Sequence, residues 1–595
     1  MRELRNESTF CRLLLAVYFC AVVFPNRSFA DDNALGKSTG DAPAKSAPAK
    51  VDAPTPELTE REKWLLGEVE ELKKRVAELE SKSNPPASPA AEAPAPRPAA
   101  PSPAAPSAGA SSSGAASAVA ASSPQDTKAA PTTPSEPFAY ADWTWLNGNA
   151  RNKDNVWDSK YFTPEFRVDT NYIEDYNQPK DHTMGGSTES FRNGEVQLEQ
   201  LSFGGDLHVG NVRARILTMD GLFATTTPRN DASFGVGQWD LRGAYKYFSE
   251  AYGGYHFNVN HGLNIDAGIF VSYIGLFSYY NFDNWTYQPS FVSSNTPWFF
   301  NGVRIQWFPT DKLKIEPWII NGWQSYAKYN GHPGLGGQIL YRPKPWLSMV
   351  FNNYGMGTDT LGVPGRSRIH TDDSIEVRYY NQPENLGLDK MAFSLTGDLG
   401  CEYGGSSPST IVSCHNDSNG HPKQSFAGWM LYNRFWFHKD LFAVTVGGGV
   451  LDNPGRYLTL LPPINGADAV SGSPYFPAVP GSVYKGWDGT ITFDWMPSQY
   501  ITFRFETGYR HANVPYWTGR EGITPPGFNP SFPTNPADYV CSNGNSSGIA
   551  SSGSIVADLP SVEAACGTPG STSGVWFPDL RKGQLANTVA IMVKF

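Results

Sequence analysis

Three sets of residues have types and spacings that could do chemistry. Gly544-Asn545-Ser546-Ser547-Gly548 satisfies the G-x-S-x-G spacing of a serine nucleophile. That motif acts only on a strand-to-helix elbow with a histidine and an acid in reach. Here it sits in a Ser/Gly-rich stretch between Cys541 and Cys566, which reads as a loop. No HExxH, phosphate-binding loop or paired metal-ligand spacing accompanies it. The expectation is no enzyme, no metal and no cofactor. The second set is cysteine: of six, Cys11 and Cys20 fall within the N-terminal residues 1–30. Cys401, Cys414, Cys541 and Cys566 remain as disulfide candidates, and four cysteines admit three pairings. The local pairing, Cys401 with Cys414 and Cys541 with Cys566, would close two short polar loops.

The third set is charge placed at every second position. Glu165, Arg167 and Asp169 alternate with Phe162, Phe166 and Val168. Arg304, Glu376 with Arg378, Asp494, and Arg504 with Glu506 recur in the same way beside Val303, Ile375, Phe493 and Phe503. Arg213, Arg215, Lys314, Glu316 and Arg434 belong to similar segments. A period of two gives a strand two unlike faces. On a lipid-facing side an arginine at mid-bilayer would cost about 2–4 kcal/mol. These residues are therefore expected to face a hydrated interior, where opposed charges screen solutes. Most are also expected to pair with neighbours on the wall.

The elements that would position them follow from the whole chain. It has 595 residues, 13% aromatic and only 17% charged, with net charge −10. Mean hydropathy is −0.38, which excludes a polytopic helical membrane protein. The acidic balance argues against a nucleic-acid partner. About 16 alternating segments occur, centred near 166, 204, 215, 255, 267, 304, 318, 339, 350, 376, 395, 431, 445, 490, 505 and 590. Short links (His208–Asn211, Asn260–Gly262, Pro309–Lys312, Pro343–Pro345, His438–Asp440, Met496–Gln499) alternate with long ones near 275–297, 401–424, 452–482 and 512–583. A soluble sandwich also alternates its faces but has no reason to segregate its loops. The fold expected over 138–595 is an all-β, transmembrane antiparallel β-barrel of 14–18 strands, with outer-membrane lipid around it. About 16 strands would enclose water, whereas about eight would be filled by side chains. Trp307-Phe308, Trp346, Phe435-Trp436-Phe437 and Trp495 fall at segment ends, where interfacial girdles form.

The flanks read differently. Arg2, Arg5 and Arg12, the apolar run Leu13–Phe24 and Ser28-Phe29-Ala30 make residues 1–30 a secretory signal peptide. Residues 31–55 are expected to be disordered. In 56–81, Leu65, Val69, Leu72, Val76 and Leu79 follow a coiled-coil pattern, expected in the periplasm and favouring self-association. Residues 82–137 form a Pro/Ala/Ser-rich linker.

Some residues carry a family resemblance. Leu263 to Gly275, the aromatic stretch Tyr279-Tyr280-Asn281-Phe282, Pro297 and Gly302-Val303-Arg304 resemble the OmpL-like putative β-barrel porin-2 family. The resemblance implies a porin fold and a bacterial outer-membrane location, and no catalytic residues. The end of the sequence, with Val589, Ile591, Val593 and Phe595 on one face, resembles the assembly signal read by the barrel-insertion machinery. The function expected is passive diffusion of small hydrophilic solutes or ions through a charge-lined pore. Alternatives are a barrel serving as membrane anchor, cell-wall tether or adhesin, or a sheath for an electron-transfer partner. Loop 275–297 has two open placements: folded into the pore as a constriction, or outward against its neighbours.

Overall fold

The computed structural model describes Lys73, Lys74 and residues 135–179, 182–184, 190–231, 241–328, 332–357, 363–408, 410–415, 418–421, 423–453, 484–513, 517–520 and 580–595. The stretches read as signal peptide (1–30) and disordered segment (31–55), nearly all of those read as coiled coil and linker, Cys541, Cys566 and the G-x-S-x-G stretch lie outside the described residues. By contacts the chain divides at Pro106/Ser107, and the description below concerns the second unit.

Alternation makes strands wherever one face meets an apolar medium and the other polar partners. The strands are β1 (Phe162–Asp175), β2 (Val196–Val209), β3 (Val212–Thr218), β4 (Phe248–Phe257), β5 (Leu263–Val271), β6 (Phe299–Thr310), β7 (Leu313–Ile320) and β8 (Gly334–Lys344). They continue with β9 (Leu347–Gly355), β10 (Arg366–Asn381), β11 (Leu388–Gly404), β12 (Ser425–Phe437), β13 (Phe442–Asn453), β14 (Tyr484–Ser498) and β15 (Ile501–Ala512). The pair β16 (Trp517–Thr518) and β17 (Leu580–Arg581) forms a separate two-residue ladder, and β18 (Gly583–Lys594) follows.

Sixteen of these close into one antiparallel barrel, each pairing with its chain neighbours, with β18 joining β15 to β1. Each of the sixteen alternating segments contains one barrel strand. In the closing ladder Arg167 stands opposite Lys594 and Val168 opposite Val593. Phe595 continues it, its N–H donating to Phe166 O at 2.9 Å while its ring lies 6.4 Å from that of Phe166. Connections alternate strictly between short turns (β2–β3, β4–β5, β6–β7 and so on) and long loops.

The outer face is apolar: Phe203, Ile216, Ile319, Phe351, Leu399, Val446 and Ile491 are all exposed, Ile491 to 58%. The inner face is polar and buried. Two expected girdle aromatics turn inward instead. Phe308 is 2% exposed and packs on Phe138, and Trp436 is 5% exposed and packs on Trp285. Trp307 and Trp346 do face outward. Phe308 and Trp436 are simply on the opposite parity from their neighbours, which cluster at segment ends cannot reveal. Near the long-loop end, Cys401 and Cys414 form a disulfide that ties β11 to the loop after it.

Candidate functional site

The interior is built from charged wall residues and two inserted segments. The first is the loop 272–298 between β5 and β6. Counting round the ring, β5 faces β13 across the barrel. The loop reaches that opposite wall, because Gly428, Gly449 and Gly486 leave the space: a Cβ there would lie 2.8 Å from Val292 Cγ1, 2.3 Å from Ser290 Oγ and 2.6 Å from Phe291 Cζ. Side chains on β12–β14 at these points would block docking. Ser290 Oγ donates to Asp488 Oδ2 at 2.7 Å, and Ser290 N–H to the Tyr432 hydroxyl at 2.7 Å. Of the two placements left open by the sequence, the loop takes the inward one.

Several residues expected to face solute instead hold this loop. Asp169 accepts from Asn281 Nδ2 and from the Tyr287 hydroxyl, both at 3.0 Å. Arg167 pairs with Asp283 at 3.1 Å and lies over the Tyr280 ring at 4.1 Å. Arg504 donates to the carbonyls of Asn281 and Asn284, and Arg434 to that of Trp285. Glu506 receives the Tyr287 N–H at 2.6 Å and the Gln288 N–H at 2.7 Å, with the Thr492 hydroxyl at 2.7 Å. The expectation that these five line open water is corrected accordingly. Their inward direction follows from strand parity, but the loop occupies them: its backbone groups bond Arg504, Arg434 and Glu506, and its side chains bond Arg167 and Asp169, because a buried loop must satisfy its polar groups.

Most of the others are tied to the wall. Arg215 binds Glu165 at 2.7 Å, Asp206 at 2.8 Å and Glu250 at 3.0 Å, and Arg167 also contacts Glu165. Arg304 and Arg213 share Asp266 at 3.0 and 3.3 Å. Lys314 pairs with Glu316. Arg434 and Arg504 share Asp494 at 2.8 and 2.7 Å. Arg378 is half-buried, lies over the Trp145 ring at 5.3 Å and donates to Pro345 O. Isolated buried charges would be strongly unfavourable, and this pairing removes that penalty.

The second insertion, residues 135–153, was missed by sequence reading. It runs across the short-turn end. Phe138 N–H bonds Asp311 O at 2.7 Å on the β6–β7 turn, and Asn147 N–H bonds Glu376 at 2.8 Å on β10. On the far side Arg151 donates to Ser498 O at 2.7 Å and Thr502 Oγ1 at 3.0 Å, and Asn152 to Lys594 O at 3.1 Å. The two insertions meet where Trp285 N–H donates to Asn147 Oδ1 at 2.8 Å. They meet closely: Gly148 has φ +72, and a Cβ there would stand 2.3 Å from Leu276 O. A sequence signal did exist in Asn147-Gly148-Asn149, a turn-type run flanked by tryptophans.

Similar solved structures include an outer-membrane channel, DcaP of Acinetobacter baumannii (TM-score 0.37, 10% identity, covering 74% of this chain and 99% of that one). An anion-selective porin from Comamonas acidovorans gives TM-score 0.36 at 11% identity, with 73% and 99% covered. In-vitro folded OmpT of Vibrio cholerae gives 0.37 at 9%, with 74% and 99% covered. No curated protein matches the sequence. The family model described as "Putative beta-barrel porin-2, OmpL-like" matches residues 166–529, more than half of the chain. The chain therefore belongs to the OmpL-like β-barrel porin-2 family, an outer-membrane porin family.

Proposed function

We infer that this barrel passes small hydrophilic solutes or ions passively, with no chemical step, through a lumen narrowed at two levels. The carrying observation is the division of faces: a closed cylinder with an apolar exterior and a polar, ion-paired interior. Loop 272–298 is the internal constriction, and residues 135–153 narrow the short-turn end. The short turns face the periplasm, by analogy with outer-membrane barrels generally, and an N-terminal arm in the periplasm belongs to the same reading. Export by residues 1–30, insertion guided by Phe595 and self-association through 56–81 belong to the same reading.

Planar-bilayer recording of the full-length mature chain in KCl tests it, alongside a variant lacking 279–294. Stepwise ion current that grows in the variant supports a pore constricted by the loop. An absence of current in both refutes the pore. One observation favours a second reading: the two insertions meet inside the barrel at Asn147 and Trp285. A barrel that stays shut would serve as an anchor for a wall-tethering arm. Current from the wild type excludes that reading.

A further inference from the structure

A charge stands in the middle of the apolar outer wall. Asp373 lies at the centre of the 16-residue β10 and is exposed. Strand parity points it outward, since Asp372 and Ser374 on either side are buried in the interior. Its ladder partners are Phe351 on β9 and Gly397 on β11. Apolar outward residues surround it: Ile369 on β10, Phe351, and Leu395 and Leu399 on β11 are all exposed. By contrast, the outward charges Asp452 and Lys485 sit beside strand ends and pair with each other at 3.4 Å.

The Asp373 carboxylate is only partly engaged. Oδ1 accepts the Asn352 N–H at 3.2 Å. Oδ2 lies 3.3 Å from the Thr371 hydroxyl, which also reaches Asn352 O at 2.9 Å. Among the described residues no cation pairs with it, and the carboxylates behind it, Asp372 and Asp398, carry the same sign. Thr371 stands opposite Asn353 on β9, which is also exposed. The Asn353 side-chain amide has no partner among the described residues. Two small residues flank this polar patch, Gly355 on β9 and Gly397 on β11. A Cβ on either would meet nothing within 4 Å, and neither has a positive φ. The barrel's own packing therefore does not demand glycine at these positions, whereas close approach of another wall does.

An ionisable side chain in hydrocarbon is costly, and in membrane proteins such groups face protein or water. Acyl chains offer Asp373 no donor. The patch itself holds what is missing: a carboxylate with acceptor sites to spare and, diagonally across the same ladder, an amide with N–H groups to give. Copies of one barrel float at one depth, so the patch of one meets that of another at the same height. A two-fold contact uses the same surface on both partners. The heptad stretch 56–81, read from the sequence as self-associating, would keep copies close to one another. We propose that the outer face of β9–β11 around Asp373 is a subunit interface with a second copy of this chain, Asn353 of each copy donating to Asp373 of the other. Gly355 and Gly397 let the two walls close on these bonds. The interface requires that the barrel stand in a bilayer and is independent of whether it conducts.

The test is photo-crosslinking of the full chain in the outer membranes of producing cells, where any competing neighbour is present. Photoreactive benzoylphenylalanine replaces Phe351, which points outward beside Asp373. In the control it replaces Phe203 on β2, across the ring from β10 and also outward. The Phe351 position is expected to give a product of two copies of this chain, at a yield about fivefold or more above that from Phe203. Tethering through 56–81 alone would bring walls together at random and give equal yields. Asp373→Leu and Asn353→Leu should each lower the two-copy yield about fivefold, the loss of one polar contact. Asp373→Asn keeps an acceptor oxygen and should stay within about twofold of the parent. Compact, heat-modifiable gel mobility verifies folding, and should Asp373→Leu not fold, Asn353→Leu decides. Equal yields from the two positions, a product joining this chain to a different protein, or an unchanged yield in the folded leucine variants overturns the interface. KCl conductance of the purified wild type is read separately. Current without the two-copy product removes the interface and leaves the pore, and the product without current removes the pore and leaves the interface.

Discussion

Glu506→Gln is the most direct way to loosen the constriction. The wild-type carboxylate accepts two loop N–H groups, from Tyr287 and Gln288, at 2.6 and 2.7 Å. A hydrogen bond to a charged group contributes about 1.5–3 kcal/mol, and one between neutral groups about 0.5–1.5. The amide keeps the shape but retains a single acceptor oxygen. One loop N–H keeps a weakened bond, and the other faces an NH₂ donor. The net cost to docking is about 2–4 kcal/mol, allowing for partial relaxation. At 1.4 kcal/mol per tenfold, the ratio of docked to undocked loop falls about 30- to 1000-fold. Single-channel recording should show longer or more frequent visits to a larger conductance level. Thr492→Ala is the calibrating variant, since it removes one neutral donor to the same carboxylate. Its effect on docking should stay within about tenfold, because both loop N–H bonds to the carboxylate remain. If Glu506→Gln leaves the size and the dwell times of every conductance level unchanged in folded protein, these bonds do not hold the constriction.

Three further outcomes are expected. Gly148→Ala forces a Cβ within 2.3 Å of Leu276 O at φ +72, so the N-terminal segment should lift from the constriction loop. A cysteine placed at Asn149 should then react with a water-soluble thiol reagent several-fold faster than in the parent, and an unchanged rate would contradict the close approach. Ile491→Arg puts a charge at the centre of β14 on the outer face and should destabilise the inserted barrel by about 2–4 kcal/mol. Denaturant unfolding in lipid vesicles measures that shift. Burial tends to raise Asp142, but hydrogen bonds from the Thr144 hydroxyl and N–H and from Lys153 outweigh it and hold the group at about 2. Because its folded value lies below the ordinary 3.8, its stabilisation is complete above that pH and is lost as pH falls toward 2. Protease accessibility of 135–153 should therefore be flat from pH 7 to about 5 and rise only in the acid range below.

Much of the wall is readable from the chain because each strand reports its own two environments. Ile501 to Arg510 states its parity without help from any neighbour, and so do Glu165, Arg167 and Asp169. The interior is another matter. Whether loop 272–298 enters the barrel depends on Asp169, Asp488, Arg504 and Glu506, drawn from strands far apart in sequence and adjacent only after closure. The nearest local clue was the absence of side chains at Gly428, Gly449 and Gly486, which reads equally as strand irregularity. Residues 138–153 fell within the region read as barrel, yet they run across its short-turn end. Trp143 and Trp145 resemble interfacial aromatics by composition, and only the positions of Arg342 and Arg378 reveal that they face cations instead.

The ladder between β1 and β18 has a consequence for biogenesis. It joins the first strand to the last, so it is the longest-range pairing in the molecule and must await synthesis and delivery of everything between. Until then both partners present raw hydrogen-bonding edges, open to mispairing with other chains. A frameshift that altered only the final dozen residues would leave fifteen competent strands and no cylinder. Surveillance proteases would meet an open ribbon rather than a slightly damaged pore.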